Sequence, residues 1–173
     1  MDRLIDDLLI YSRAGQRPAS FVPVALDTIA AEVLADSAAL IDETDALVEI
    51  DRLPTVEGDP TQLRQLLQNL VTNAIKFRRT DVSPCVAVHS AEDDDHWIVY
   101  VDDNGIGIEP EHRTEIFAMF SRLQSGDRPG SGIGLAICAR VVANHGGEIW
   151  AETGPAGGAR LCFTLAKQPA PGP

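Results

Sequence analysis

Positive charge is scarce in this chain: 14 Lys and Arg stand against 26 Asp and Glu, a formal net charge of -12. The cations are scattered, so the clustered basic face that a nucleic-acid binder needs is missing and no nucleic-acid partner is expected. Cysteine is sparse too. Cys85, Cys138 and Cys162 are far apart and form no C-x-x-C, which argues against a disulfide framework or a zinc site and suits small buried hydrophobes in a reducing compartment. No apolar run has the length to span a bilayer and no signal peptide is present, so the expected location is cytoplasmic, with any membrane anchor left to a parent protein. Neither a G-x-x-x-x-G-K-[ST] loop nor a serine nucleophile elbow occurs. His89, His96, His112 and His145 lack metal spacing and short-range carboxylate partners, and are expected to carry no chemistry; His145, in a last helical turn, would suit the helix dipole as a cation.

What is present suffices for one core: 45% of the 173 residues are hydrophobic. The organising stretch is Asp59 to Phe77, DPTQLRQLLQNLVTNAIKF. Asp59 and Pro60 are an N-cap and first-turn pair, and Leu63, Leu66, Leu67, Leu70, Val71 and Ala74 recur at helical spacing. Gln62, Gln65, Asn69, Asn73 and Lys76 fall on one stripe beside that face. Such a stripe is either solvated surface or a set of amide oxygens for a metal and an ammonium for a phosphate.

Around it, Met1 to Ala14 is amphipathic but too short to be stable alone, and reads as the end of a longer helix belonging to another unit. Residues 15–20 are linker by composition. A strand is expected over Phe21 to Leu26, then a single helix capped by Asp27 and ending near Thr44, then short strands at Val48 to Ile50 and Thr55 to Val56. Val86 to His89 and Trp97 to Val101 form a hairpin whose acidic loop, Glu92 to Asp95, reads as solvated. A helix is expected over Glu109 to Phe120, a mobile loop over Arg122 to Ser131, a helix over Gly132 to His145 stopped by Gly146-Gly147, and a last hairpin from Glu148 to Ala166. The tail, 168–173, is too Pro-rich to fold. Mixed order with terminal hairpins favours an α/β sandwich over a doubly wound sheet.

Gly130, Gly132 and Gly134 precede a helix, where backbone N–H groups can approach an anion, but the dinucleotide fingerprint fails because Leu135 occupies the position three after Gly132. Asp103 stands where a strand runs into Asn104-Gly105-Ile106-Gly107. It is either a turn aspartate or, buried in a cleft, an acceptor for an exocyclic amine, with Gly105 and Gly107 leaving room for a flat ring.

Taken together, QNLVTNAIKF, DDNGIGI, IFAMFSRL and GSGIGLAI resemble, in order and spacing, the N box, first glycine box, F box and second glycine box of the catalytic ATP-binding domain of bacterial sensor histidine kinases, in the branch linked to phytochromes. MDRLIDDLLIYSRAG resembles the end of the second dimerisation and phosphotransfer helix. The resemblance implies a Bergerat fold, an α/β (α+β) two-layer sandwich with a mixed sheet covered by helices on one face, over residues 21–167. It implies that Asp103 binds the adenine amine, Asn73 holds Mg²⁺ with Asn69 beside it, and Lys76 reaches the phosphates of ATP. Gly105, Gly107, Gly130, Gly132, Gly134 and Leu135 would shape the pocket and lid, and Phe117 and Phe120 would anchor the lid by packing. Arg122 and Arg128 are basic residues near the lid with no motif-assigned role. The partners implied are a phosphoacceptor helical hairpin, a response-regulator receiver domain and, for the parent, a second copy as homodimer. No H-E-[LF]-[RK]-x-P box is present, so the acceptor histidine lies outside the chain. A water-activating ATPase of the same superfamily would place Glu where Asn69 stands, and an amide cannot take a proton from water. A noncatalytic nucleotide-dependent module is the remaining alternative.

Overall fold

The computed structural model describes residues 2–16, 18, 20–121 and 130–167; residues 122–129, most of the expected loop, and the expected tail lie outside them. In chain order the elements are α1 (Asp2–Ala14), β1 (Val22–Ala25), α2 (Leu26–Asp36), α3 (Ala38–Thr44), β2 (Leu47–Ile50), β3 (Thr55–Gly58), α4 (Pro60–Lys76), β4 (Cys85–Glu92), β5 (His96–Asp103), α5 (Gly134–Asn144), β6 (Ile149–Thr153) and β7 (Ala159–Ala166). The main sheet runs β2-β4-β5-β7-β6, with β2 parallel to β4 and every other pair antiparallel, while β1 and β3 form a separate antiparallel pair. Alternation along the strands buries Val86, Val88, Val99, Val101, Leu161, Phe163 and Leu165 on one face. There α4 packs on β4 and β5, flanked by α2 and α5. The result is the mixed two-layer sandwich that the sequence implies.

The cap at Asp59 forms as the sequence predicts, its Oδ1 accepting from the Gln62 N–H at 2.8 Å with Pro60 in the first turn. Two other helices depart from expectation. Asp27 does not cap a helix; its Oδ1 accepts from the Leu53 N–H at 2.7 Å, and the expected single helix divides into α2 and α3 at Ser37. Ser37 is buried and its hydroxyl accepts from Gln68 Nε2 of α4 at 3.1 Å, so a side-chain bond holds the break against the organising helix. The stretch Glu109 to Phe120 is not one helix but two short 3-10 turns, Pro110–His112 and Glu115–Phe117. Arg113 ties them down, donating to Ile108 O and to Thr153 Oγ1 at the end of β6. In the acidic hairpin loop Asp93 is more than solvated, since its Oδ1 accepts from the Asp95 and His96 N–H groups and closes the turn.

The end of α5 gathers segments around the N-terminal end of α4. Helix α1 lies on α5, with the Arg140 guanidinium 4.2 Å from the Tyr11 ring centroid and Asn144 Nδ2 donating to Ala14 O at 2.6 Å. His145, the C-cap of α5, is buried and stacks on Phe21 at 4.7 Å. Its Nε2 accepts from the Asp59 N–H at 3.0 Å, and its Nδ1 lies 2.7 Å from Val141 O, so the ring is neutral with the proton on Nδ1. The expectation of a dipole-stabilised cation is therefore corrected: an imidazolium has no lone pair left for Asp59.

Burial lowers the His145 pKa from its ordinary value, and the Val141 bond and the Asp59 charge offset this only in part. The folded state then binds the proton less well than the unfolded state. Stability contributed by the neutral ring is complete above the unfolded pKa of about 6.5 and declines as pH falls through that value toward the lower folded one. Urea unfolding should show this acid loss in the parent chain. His145→Phe should cost about 1–3 kcal/mol at pH 7.5 through the orphaned Asp59 N–H and lose less between pH 7 and 5. Parallel pH profiles for the two proteins would contradict the role given to the ring.

Candidate functional site

Strand β5 alternates inward and outward, so Val99, Val101 and Asp103 all face the helices. A carboxylate thus occupies a position that the pattern reserves for a core residue, and it is only 9% exposed. One oxygen accounts for its internal bonds: Oδ1 accepts from the Gly105 N–H at 2.8 Å and the Ala159 N–H at 3.0 Å. Among the described residues Oδ2 accepts no hydrogen bond. Burial pushes the Asp103 carboxyl above its ordinary value, the two backbone donors pull it back, and the charge of neighbouring Asp102 adds to the rise. Such a group is a single open acceptor held by a rigid frame.

Glycines make that frame. A Cβ on Gly105 would overlap the Phe77 carbonyl oxygen, and Ile106 N–H donates to the same oxygen at 3.1 Å. The loop after Asp103 is thereby fastened to the C-cap of α4. A Cβ on Gly158 would overlap Asp103 O and Oδ1 and lie 2.6 Å from Gly105 N, so the β6–β7 turn presses against the carboxylate. Gly107 has φ +74, and a Cβ there would lie 3.5 Å from Gly157 O of the same turn.

The second glycine run meets α4 half-way along. Asn69 Nδ2 donates to Gly134 O at 3.3 Å, while Asn69 Oδ1 receives only a long 3.4 Å bond from Gln65. Gly132, with φ +73, accepts through its carbonyl from the Phe120 N–H at 2.9 Å. Asn73 is half-buried, and its side-chain amide makes no hydrogen bond among the described residues. Lys76 is half-buried in the last turn. Helix α4 thus brings together both glycine segments and the amide stripe.

Other candidates are placed differently. Phe117 packs against the core, whereas the Phe120 side chain is 56% exposed with φ +59, so it is the Phe120 backbone, not its ring, that holds Gly132. Leu135 is a partly buried core contact. Among the described residues nothing lies within 4 Å of a Cβ on Gly130. Arg122 and Arg128 lie outside the described residues. No group of three or more His, Cys, Asp or Glu among the described residues is placed to hold a metal.

Sequence reasoning missed Gly158 and the Ala159 N–H, which lie more than fifty residues from Asp103 and gain meaning only through the β5–β7 pairing. It also missed that His89 has a carboxylate partner: Nε2 lies 3.0 Å from Asp102 Oδ2 across the β4–β5 ladder. His112 likewise meets Glu115 at 3.3 Å.

Residues 58–169 match the family described as histidine kinase-, DNA gyrase B-, and HSP90-like ATPase. The chain belongs to this family. It is the ATP-binding domain of the histidine kinase-type ATPase fold, and its relatives fall on the kinase side. It is 37% identical over 166 residues to the phytochrome-like protein Cph1 of Synechocystis, covering 95% of this chain and 22% of that protein, so it spans about a fifth of this relative's length. Among solved structures it is similar to full-length ShkA in complex with AMPPNP, with a TM-score of 0.80, 28% identity, and coverage of 97% of this chain and 36% of that one. It is also similar to histidine kinase ThkA in complex with response regulator protein TrrA, with a TM-score of 0.77, 26% identity, and coverage of 97% and 47%.

The two glycine classes of this histidine kinase-type domain are separable by experiment. Gly158→Ala should lower unfolding stability by about 1–3 kcal/mol, because backbone rather than a flexible side chain must yield. Gly130→Ala, with no described atom within 4 Å of the new methyl, should stay within about 0.5 kcal/mol. Chemical denaturation without nucleotide reads both. A Gly158→Ala variant as stable as the parent would contradict the close contact with Asp103.

Proposed function

We propose that this chain binds Mg-ATP and donates its γ-phosphate to a histidine outside residues 1–173, as the catalytic domain of a two-component sensor histidine kinase. The observation that carries the reading is Asp103, a buried carboxylate with one oxygen saturated by backbone and the other open, framed by glycines that leave no side chain in the way. An open anionic acceptor in a glycine frame suits an exocyclic amine, so this reading assigns adenine to Asp103, with the rest of the nucleotide along α4.

In this reading Lys76 meets phosphate oxygens, and the backbone N–H groups around Gly132 and Gly134 at the start of α5 favour negative charge. The amide oxygen of Asn73, unpartnered among the described residues, fits Mg²⁺, which takes oxygen donors and is commonly shared with a triphosphate rather than caged by protein alone. The metal would neutralise charge developing on the transferred phosphoryl group. Asn69 positions the start of α5 through Gly134 and offers no base to water, so the γ-phosphate is spared hydrolysis.

The histidines of the chain are otherwise engaged. His145 is buried and neutral, His89 is paired with Asp102 on the far face of the sheet, and His96 and His112 sit in surface turns. The acceptor is therefore assigned to a helical hairpin of which Asp2–Ala14 is the end, residues 15–20 being the linker, in a parent that is a homodimer at the cytoplasmic side. A receiver domain as downstream partner is supported by the ThkA complex.

Incubation with γ-labelled ATP tests this. The chain alone should gain negligible acid-labile label, whereas a separately supplied phosphotransfer hairpin of a parent kinase should become labelled on histidine, slowly because the tether is lost. Label on the chain itself, or none on the hairpin despite saturating ATP, would refute the donor reading.

A further inference from the structure

The face of the sheet turned away from the helices carries a row of aligned positions in which four of the five strands supply a charge. Register aligns Glu49 of β2, Ala87 of β4, Asp102 of β5, Arg160 of β7 and Glu152 of β6. Arg160 is the cation of this row, and its neighbours are acidic. It grips Asp102 with two prongs, Nε to Oδ1 at 2.6 Å and Nη2 to Oδ2 at 2.8 Å, and its guanidinium lies 5.0 Å from the Tyr100 ring centroid. His89 adds a third contact to Asp102 at 3.0 Å and stacks beside Tyr100 at 4.9 Å. Burial alone would raise the Asp102 carboxyl, but the Arg160 and His89 bonds outweigh it and hold Asp102 below its ordinary value.

This cluster sits directly behind the site. Asp102 and Asp103 are consecutive on β5 and point to opposite faces, and Arg160 follows Ala159, whose N–H holds Asp103 Oδ1 at 3.0 Å. The Arg160–Asp102 pair therefore joins β7 to β5 one residue away from the bond that fixes the open carboxylate.

We propose that Arg160 is a positioning residue for Asp103: it locks the β5–β7 register that keeps the Ala159 N–H on Oδ1, and it neutralises Asp102 so that Asp103 stays ionised with Oδ2 open to the nucleotide. This rests on the assignment of Asp103 to the adenine amine. Without Arg160, an uncompensated Asp102, with Glu152 and Glu49 in the same row, stands behind a buried carboxylate that its charge already disfavours. His89 of β4 makes a single contact with Asp102, at 3.0 Å, against the two prongs of Arg160, and Lys76, in the last turn of the helix over β5, lies on the opposite face. Asp103 would then take up a proton at higher pH, and a neutral carboxyl is a poorer acceptor.

Calorimetric ATP affinities from pH 5.5 to 8.5, on variants checked for folding by circular dichroism, test this. Arg160→Gln should weaken binding about tenfold at pH 6 and less at pH 8, moving the midpoint of the profile upward by roughly half a unit or more. Asp102→Asn combined with Arg160→Gln should return the midpoint to the parent value, since the charge behind Asp103 is gone. Arg160→Lys should restore the midpoint while recovering affinity only in part, because a point charge lacks the two-pronged grip. If Arg160→Gln fails to fold, the double variant and Arg160→Lys still decide the matter: a shifted midpoint in the double variant, or an unshifted one with full affinity in Arg160→Lys, would overturn the proposal. An Arg160→Gln profile superimposable on the parent's would overturn it too. Asp103→Asn separates this from the underlying reading: unchanged ATP affinity there refutes the adenine assignment, whereas its loss with an indifferent Arg160 refutes the positioning role alone.

Discussion

Burial of one face of α4 is the constraint on which the rest of the molecule depends. Leu63, Leu66, Leu67, Leu70, Val71, Ala74 and Ile75 are all within 5% of full burial, and each large side chain among them contributes roughly 1.5–3 kcal/mol. Fixing that face fixes the angle of the remaining polar positions, and several of them hold other segments. Gln62 reaches Gln16 and Asn144, Gln68 reaches Ser37, Asn69 reaches Gly134, and the Phe77 carbonyl takes the loop after Asp103. The Asn73 amide has no partner among the described residues, and the proposed function gives it a ligand.

The same economy governs Asp103. A carboxylate in a core position costs free energy unless its lone pairs are met. The frame meets those of one oxygen with two backbone donors and leaves the other, so the unsatisfied capacity of the folded state is stored at one atom. Glycines at 105 and 158 are the condition for this, because a side chain at either would push the donors away.

Features set by neighbours in sequence were legible from sequence. The Asp59 cap, the apolar face of α4, the hairpins and the glycine runs flanking strand and helix all depend on spacings of a few residues. The family's motif order added the roles, and the two-layer fold followed. What was not legible depends on contacts distant in the chain. Ser37 breaks a helix because Gln68 bonds it, and Asp27 leaves its cap position for Leu53. Arg113 pins two short turns to β6 where propensity alone favours a helix. His145 becomes neutral because Asp59, at the far end of α4, needs an acceptor, and His89 finds Asp102 only once β4 and β5 are paired. Propensity and pattern cannot see these, since each is a single polar atom satisfied across tens of residues.

The central claim is that Asp103 Oδ2 reads the exocyclic amine of adenine, and a nucleotide with an acceptor in place of that donor tests it most directly. Inosine triphosphate carries a carbonyl oxygen there, which would face the carboxylate lone pairs and leave a buried acceptor unpaired. Titration of the chain with ATP and inosine triphosphate at pH 7.5 and equal Mg²⁺ should show the latter weaker by tenfold or more, on the order of the 1–3 kcal/mol that an unsatisfied buried polar group costs. Equal affinities for the two nucleotides would contradict the account.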